Sequence, residues 1–225
     1  MSDKKKRVLL IDSLNMFIRA YIMDPSLTMG GNPCGGIKGT LKILQKLVRE
    51  TKPDEIVFKA INKNYKAGRK PIRLNRSVKN LTEDEEMKNK VWQQMRLMEY
   101  LNEMPIIQIM LPEVEADDVI AHLTHLSHYD GWQKVIISND QDFYQLCDDE
   151  TVVFRPVKKT VYNKKKIIEE LGVHPRNMAL ARSLIGDSSD NLPGIKGVGF
   201  KTIEKRLSFL GSDKDYTIDD VIEYC

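Results

Sequence analysis

The sequence is poor in cysteine and has no long apolar run. Its three cysteines, Cys34, Cys147 and Cys225, are odd in number and unevenly spaced. That pattern excludes a fully paired disulfide framework and any thiolate zinc motif, and it predicts a reducing compartment. Behind a basic start, the apolar stretch Val8–Ile11 spans four residues, too few for a secretory signal. No stretch approaches the roughly 20 apolar residues of a membrane span. A soluble intracellular protein with no membrane partner is expected.

What is present is a chain of 225 residues, 41% hydrophobic, enough for one large domain or a domain with an appendage. The formal net charge of +3 conceals segregation. Lys59 to Lys79 holds eight Lys or Arg and no acid, and Lys158 to Lys166 holds five Lys. Such runs commonly form solvated surface, and they also suit a polyanion.

Strands and helices alternate. Arg7–Asp12 reads as a buried parallel strand ending in an acid, and a helix follows from Ser13, the expected N-cap, to Met23. Met29–Gly36 is a loop, Ile37–Glu50 a helix and Asp54–Phe58 a strand. Asn62–Asn80 is polar and basic, a loop or surface segment. Glu83–Glu103 has helical periodicity, with Met87, Val91, Met95 and Met98 on one face expected in the core. Pro105–Met110 is a strand, Glu115–Ser127 a helix, Lys134–Ser138 a strand and Gln141–Cys147 a short helix. Val152–Arg155 and Thr160–Tyr162 suggest a hairpin. Lys164–Leu171 and Pro175–Ile185 are helices, and Gly186–Lys201 is a glycine-rich turn between helices. The expected fold is α/β, a mostly parallel central sheet flanked by helices. Residues 1–162 form the core, with a basic segment at about 59–84, and 163–225 form a smaller helical module.

The acids are the chemical signal. Asp12; Glu115, Asp117 and Asp118; Asp140 and Asp142; and Asp187 and Asp190 form four clusters beside apolar runs or glycine-rich turns. In an open α/β sheet, sites form outside the carboxyl ends of the strands, so the first three clusters should reach one edge. One or two acids in a first helical turn need only the helix dipole. The whole set needs pairing or a cation. Carboxylates without His or Cys select hard cations, Mg²⁺ or Mn²⁺. Two such ions about 4 Å apart can activate water and stabilise both oxygens of an in-line phosphoryl displacement. His122, His125 and His128 share a three-residue spacing, and a surface position explains them better than a metal.

In the string Gly186-Asp-Ser-Ser-Asp-Asn-Leu-Pro-Gly-Ile-Lys-Gly-Val-Gly-Phe-Lys-Thr202, the residues Gly194, Gly197 and Gly199 let backbone approach a phosphate. The turn leads into a helix, and Lys196 and Lys201 add charge. This is a helix–hairpin–helix pattern, suited to gripping duplex backbone without reading bases.

The chain resembles the 5′ nucleases: flap endonucleases, the 5′-exonuclease domain of bacterial DNA polymerase I and bacteriophage 5′–3′ exonucleases. The matching strings are Leu9–Asp12, Tyr65–Arg69, Glu115–Ala121, Ser138–Asp142 and Gly186–Gly194 through Lys201-Thr202, in order over about residues 7–208. The resemblance implies a PIN-like fold, with the basic segment at about 59–84 as an arch or loop around the 5′ single strand, and a two-metal phosphodiesterase of replication or repair. It would act on 5′-flap, nicked or branched duplex DNA, and on primer-bearing RNA–DNA hybrids with an RNase H activity. It implies two Mg²⁺, replaceable by Mn²⁺, with K⁺ at the helix–hairpin–helix. By the same resemblance Asp12, Glu115, Asp117 and Asp140 serve the first metal, Asp142, Asp187 and Asp190 the second, with Asp118 nearby. Asp12 and Asp142 count with Lys66 and Arg69 as catalytic; Lys66 would contact the scissile phosphate. Tyr65 would stack on a terminal base. Lys66 and Arg69 would also bind DNA, together with Gly194, Lys196, Gly197, Gly199, Lys201 and Thr202. A monomer in the cytoplasm of a bacterial or phage-infected cell is expected, with replication proteins as unnamed partners.

Two departures stand out. The family places a metal-binding Asp after the second strand, whereas here Phe58 is followed by Lys59. Either the ligand is lost and cleavage impaired, or a segment is missing between Phe58 and Tyr65, the reading preferred here. Further helices are also expected beyond Cys225. The alternatives to an active nuclease are a structure-specific DNA-binding protein with a damaged metal site and a small α/β ribonuclease. The helix–hairpin–helix argues against the latter.

Overall fold

The computed structural model describes residues 5–59, 81–188 and 191–225. The chain divides into two compact units, Met1–Ser138 and Asn139–Cys225.

The first unit is built on four parallel strands: β1 (Arg7–Asp12), β2 (Glu55–Lys59), β3 (Ile107–Ile109) and β4 (Gln133–Ile137). Register pairs Leu9 with Ile56 and with Val135, and Phe58 with Gln108, which gives the order β3-β2-β1-β4. Val8, Leu9, Leu10 and Ile11 are fully buried, as a strand covered on both faces requires. From β1 the chain lays β2 and β3 on one side and β4 on the other. The order therefore reverses at β1, and the carboxyl ends of β1 and β4 frame the crevice where such sheets bind ligands.

After β1 come α1 (Ser13–Met23) and α2 (Gly35–Thr51), packed on each other. Small residues permit that approach: a Cβ on Gly39 would lie 2.8 Å from the Ala20 Cβ, and one on Gly36 2.6 Å from the Phe17 ring. Ser13 is not the N-cap. Asp12 takes that position, its Oδ1 accepting from the Asn15 N–H at 3.2 Å, while the Ser13 hydroxyl donates to the Lys59 carbonyl. A strand-end acid already facing the first free N–H groups outcompetes the hydroxyl one residue later.

Helix α3 (Glu83–Asn102) opens with a capping box between Thr82 and Glu85. The expected methionine face is not its core face. Met87, Val91 and Met95 are exposed, and Gln93, Leu97 and Leu101 are buried. Gln93 decides this. Its amide donates to the Pro33 carbonyl at 2.9 Å and its Oε1 accepts from the Ile37 N–H at 3.2 Å, so a polar side chain anchors the helix to the start of α2. Helix α4 (Ala116–Thr124) packs on β1 and β2, and His122, His125 and His128 are exposed as expected.

The second unit begins with a 3-10 turn, Asp142–Leu146, and an antiparallel hairpin, β5 (Thr151–Arg155) and β6 (Thr160–Tyr162). The hairpin groups with the helices after it, because β6 runs directly into α5 (Lys164–Leu171) and packs on it. Asn163 caps the start of α5, and Gly172 ends it at φ +69°, a conformation that favours glycine. Helices α6 (Met178–Ile185), α7 (Phe200–Arg206) and α8 (Ile218–Tyr224) enclose a core of Val173, Ala181, Leu184, Ile203, Leu207, Leu210 and Val221. Buried Asn177 closes this unit, donating to the Leu210 and Lys214 carbonyls at 3.0 Å each. Cys147 is buried, and burial pushes its thiol up to about 12, so it is inert. Among the described residues no helix is long and apolar enough to cross a membrane.

Candidate active site

In the first unit, the expected strand-end acid is where a parallel sheet puts it. Asp12 ends β1 and is 9% exposed. Its Oδ2 accepts from the hydroxyl of buried Ser138, just past β4, at 2.9 Å, so the carboxylate spans the reversal point of the sheet. One oxygen caps α1 and the other holds Ser138, which fixes the side chain. Glu115 is the N-cap residue of α4, Asp117 and Asp118 lie in its first turn, and the chain reaches all three just after β3. Glu115 and Asp117 are half-buried, and Asp118 is exposed.

Lys59 follows Phe58, where the resemblance led us to expect an aspartate. It ends β2 in direct register with Asp12, and the two side chains leave the same face of the sheet. It is 2% exposed, and its Nζ has no hydrogen-bond partner among the described residues. Burial holds its pKa below the ordinary lysine value. The sequence showed an aspartate missing here, but nothing in it indicated that the lysine in its place would be buried.

In the second unit, two acids far apart in sequence meet on one cation. Arg182, on α6, donates from Nη2 to Asp142 Oδ1 at 3.0 Å and to Asp187 Oδ2 at 2.6 Å. Asp187 follows the end of α6, where Gly186 turns the chain at φ +79°, and backbone bonds in both directions to Leu192 pin it. Asp140 orients the other side, its Oδ1 accepting from the Asp142 N–H at 3.0 Å. Burial first, then the neighbouring Asp140, raises the Asp142 pKa, with Arg182 pulling the other way. Arg182 carried no motif, and its only signal was a basic residue five positions before Asp187.

Among the described residues, no three or more His, Cys, Asp or Glu are gathered closely enough to hold a metal. Carboxylates repel one another without a cation. Tyr65, Lys66, Arg69 and Asp190 lie outside the described residues.

The glycine-rich turn has a closed and an open half. A Cβ on Gly194 would strike the Ile185 carbonyl oxygen at 1.8 Å, so that residue must be glycine for the turn to fold onto the end of α6. Gly197, at φ +82°, and Gly199 have nothing within 4 Å of an added Cβ, so their backbone is open to an approaching group. Lys196 and Lys201 are exposed, and the Thr202 hydroxyl donates to the Gly197 carbonyl at 3.2 Å.

The acids suit a hard divalent cation by their donor chemistry, and Asp142 and Asp187 already share one positive group, the Arg182 guanidinium. On the β1 side the match is poorer, since the register partner of Asp12 is an ammonium rather than a carboxylate.

The flap endonuclease of bacteriophage T5, solved as a pseudo-enzyme–product complex with DNA and metal ions, superposes with a TM-score of 0.70. That match covers 97% of this chain and 78% of the phage chain at 18% identity, a likeness of fold. The chain belongs to the 5′–3′ exonuclease family and is a nuclease, hydrolysing phosphodiesters: the family's N-terminal resolvase-like domain matches residues 7–172. A 5′–3′ exonuclease of Buchnera aphidicola subsp. Schizaphis graminum is 32% identical over 205 residues, 88% of this chain and 69% of that protein. DNA polymerase I of Thermus thermophilus is 31% identical over 221 residues, 93% of this chain but 25% of the polymerase.

Proposed function

We propose that this 5′ nuclease is divalent-metal dependent and cleaves 5′-flap, nicked and primer-bearing duplexes, RNA–DNA hybrids included. The observation that carries the reading is the convergence of Asp142 and Asp187 on one cationic group, which supports their serving as a ligand pair. In this reading Asp142, Asp187 and Asp190 hold one Mg²⁺, and Asp12, Glu115, Asp117 and Asp140 hold another, with Asp118 beside them. Mn²⁺ substitutes. The metals, when bound, polarise the phosphoryl group and lower the pKa of water.

The chain's own residues do the rest. Ser138 keeps the Asp12 carboxylate oriented, and Asp140 orients the backbone at Asp142. Lys66 and Arg69 neutralise charge on the scissile phosphate, and Tyr65 stacks on a terminal base. The open half of the turn, Gly197 to Thr202 with Lys196, grips duplex backbone as part of a helix–hairpin–helix with a K⁺ site, and Gly194 keeps that turn seated. The protein acts as a cytoplasmic monomer.

One observation favours a second reading, a DNA-binding protein of impaired activity: the buried ammonium of Lys59 beside Asp12. Labelled 5′-flap duplex, nicked duplex and RNA–DNA hybrid, each incubated with Mg²⁺ and with EDTA, separate the two. Mg²⁺-dependent 5′ products support the nuclease reading. Binding without product on every substrate supports the second.

A further inference from the structure

Asp142 and Asp187 contact the same nitrogen of Arg182, and the three side chains are 35%, 18% and 28% exposed. The two carboxylate oxygens are therefore no farther apart than two hydrogen bonds through a single atom allow. A divalent ion binding both would sit about 2.1 Å from each, inside the space that Nη2 now fills. Guanidinium and ion cannot use the same two oxygens together. We infer that Arg182 is a placeholder cation, holding Asp142 and Asp187 together in the ion-free protein and giving them up when a divalent ion binds.

The surroundings agree. Asp140 lies against Asp142, and Asp187 faces the same group, so Arg182 relieves repulsion among like charges in a half-buried site. Asp187 is anchored by backbone bonds to Leu192, and Asp142 by its N–H to Asp140. The backbone that carries both acids is thus anchored, and Arg182 reaches them from the end of a long, flexible side chain. Arg182 is a positioning residue in this account, acting on the reaction only through the two acids.

This inference rests on the reading that the pair takes a divalent ion, and Mn²⁺ binding to the full chain tests the two separately. Electron paramagnetic resonance titration at pH 7 gives the affinity for wild type, Arg182→Gln and Arg182→Lys. Arg182→Gln is expected to bind Mn²⁺ about tenfold tighter, because a competing charge is removed. Its ion-free thermal midpoint should fall, and Mn²⁺ should restore it. Arg182→Lys keeps the charge but loses the planar fork that reaches both oxygens, so its affinity should lie between the two.

A glutamine variant with equal or weaker Mn²⁺ affinity overturns the inference, and so does a lysine variant equal to wild type, which would mean a remote charge effect only. If the glutamine variant fails to fold, the lysine variant alone decides on the same criterion. Wild type that binds no Mn²⁺ overturns the metal reading, and the inference with it. Wild type that binds while both variants match it overturns the inference alone.

Discussion

Acids of the same type are held in opposite ways in the two units. Asp12 is built into the framework: it caps α1, accepts from Ser138 and stands in register with a buried lysine. Asp142 and Asp187 are held by one side chain that can leave. A carboxylate committed to backbone and hydroxyl donors is fixed at a stability cost if removed. A carboxylate paired with a flexible guanidinium is ready to exchange partners. The difference separates an acid that also shapes the fold from acids kept for a ligand.

The largest expected effect tests the first half of that contrast. Asp12→Ala removes an N-cap acceptor and the carboxylate that accepts from the buried Ser138 hydroxyl, so it should cost about 2 kcal/mol by urea unfolding. A loss near zero would mean Asp12 is no more framework than Asp187. Lys59→Met comes next, with the opposite sign. Exchanging a buried ammonium, without a hydrogen-bond partner among the described residues, for an apolar chain of similar length should raise stability by about 1–2 kcal/mol in the same assay. A loss would show that Lys59 has a partner the described residues do not contain, and would weaken the argument that the β1 side suits a cation poorly.

The smallest effect concerns the second unit, apart from its acid pair. His174 is buried, and burial outweighs the nearby Asp213 to hold its pKa below 6.5. As pH falls below about 6.5, the unfolded chain takes up the proton before the folded one does, so stability falls with pH there. The contribution is fully present above 6.5, and the loss is complete once pH has passed below the folded pKa. Thermal scans from pH 7.5 to 5 should show this slope, shallower in His174→Gln by less than about 1 kcal/mol over the range. An unchanged slope would assign the pH dependence to other groups.

Much of the fold was legible in the sequence. The unbroken apolar runs of β1 and β4 read as covered strands, and α5 has the bounds expected for it, Lys164–Leu171. The face of α3 was misread because periodicity counts apolar residues, while the buried position belongs to Gln93, whose partners at Pro33 and Ile37 are remote in sequence. Asp12 was legible as a strand-end acid, but its capping of α1 was not, since Ser13 offered the same chemistry one residue on. Arg182 stayed hidden because an arginine in a helix has no signature until the acids it bridges are placed. The departure at Lys59 was visible, but its burial depends on packing that no local pattern encodes.

The most direct test of the central claim, that the Arg182-bridged acids serve a catalytic cation, is to measure cleavage and binding side by side for Asp187→Asn on a 5′-flap duplex with Mg²⁺. The account predicts cleavage reduced about 100-fold or more with duplex affinity and folding retained. Cleavage and affinity falling together, or cleavage left intact, would contradict it.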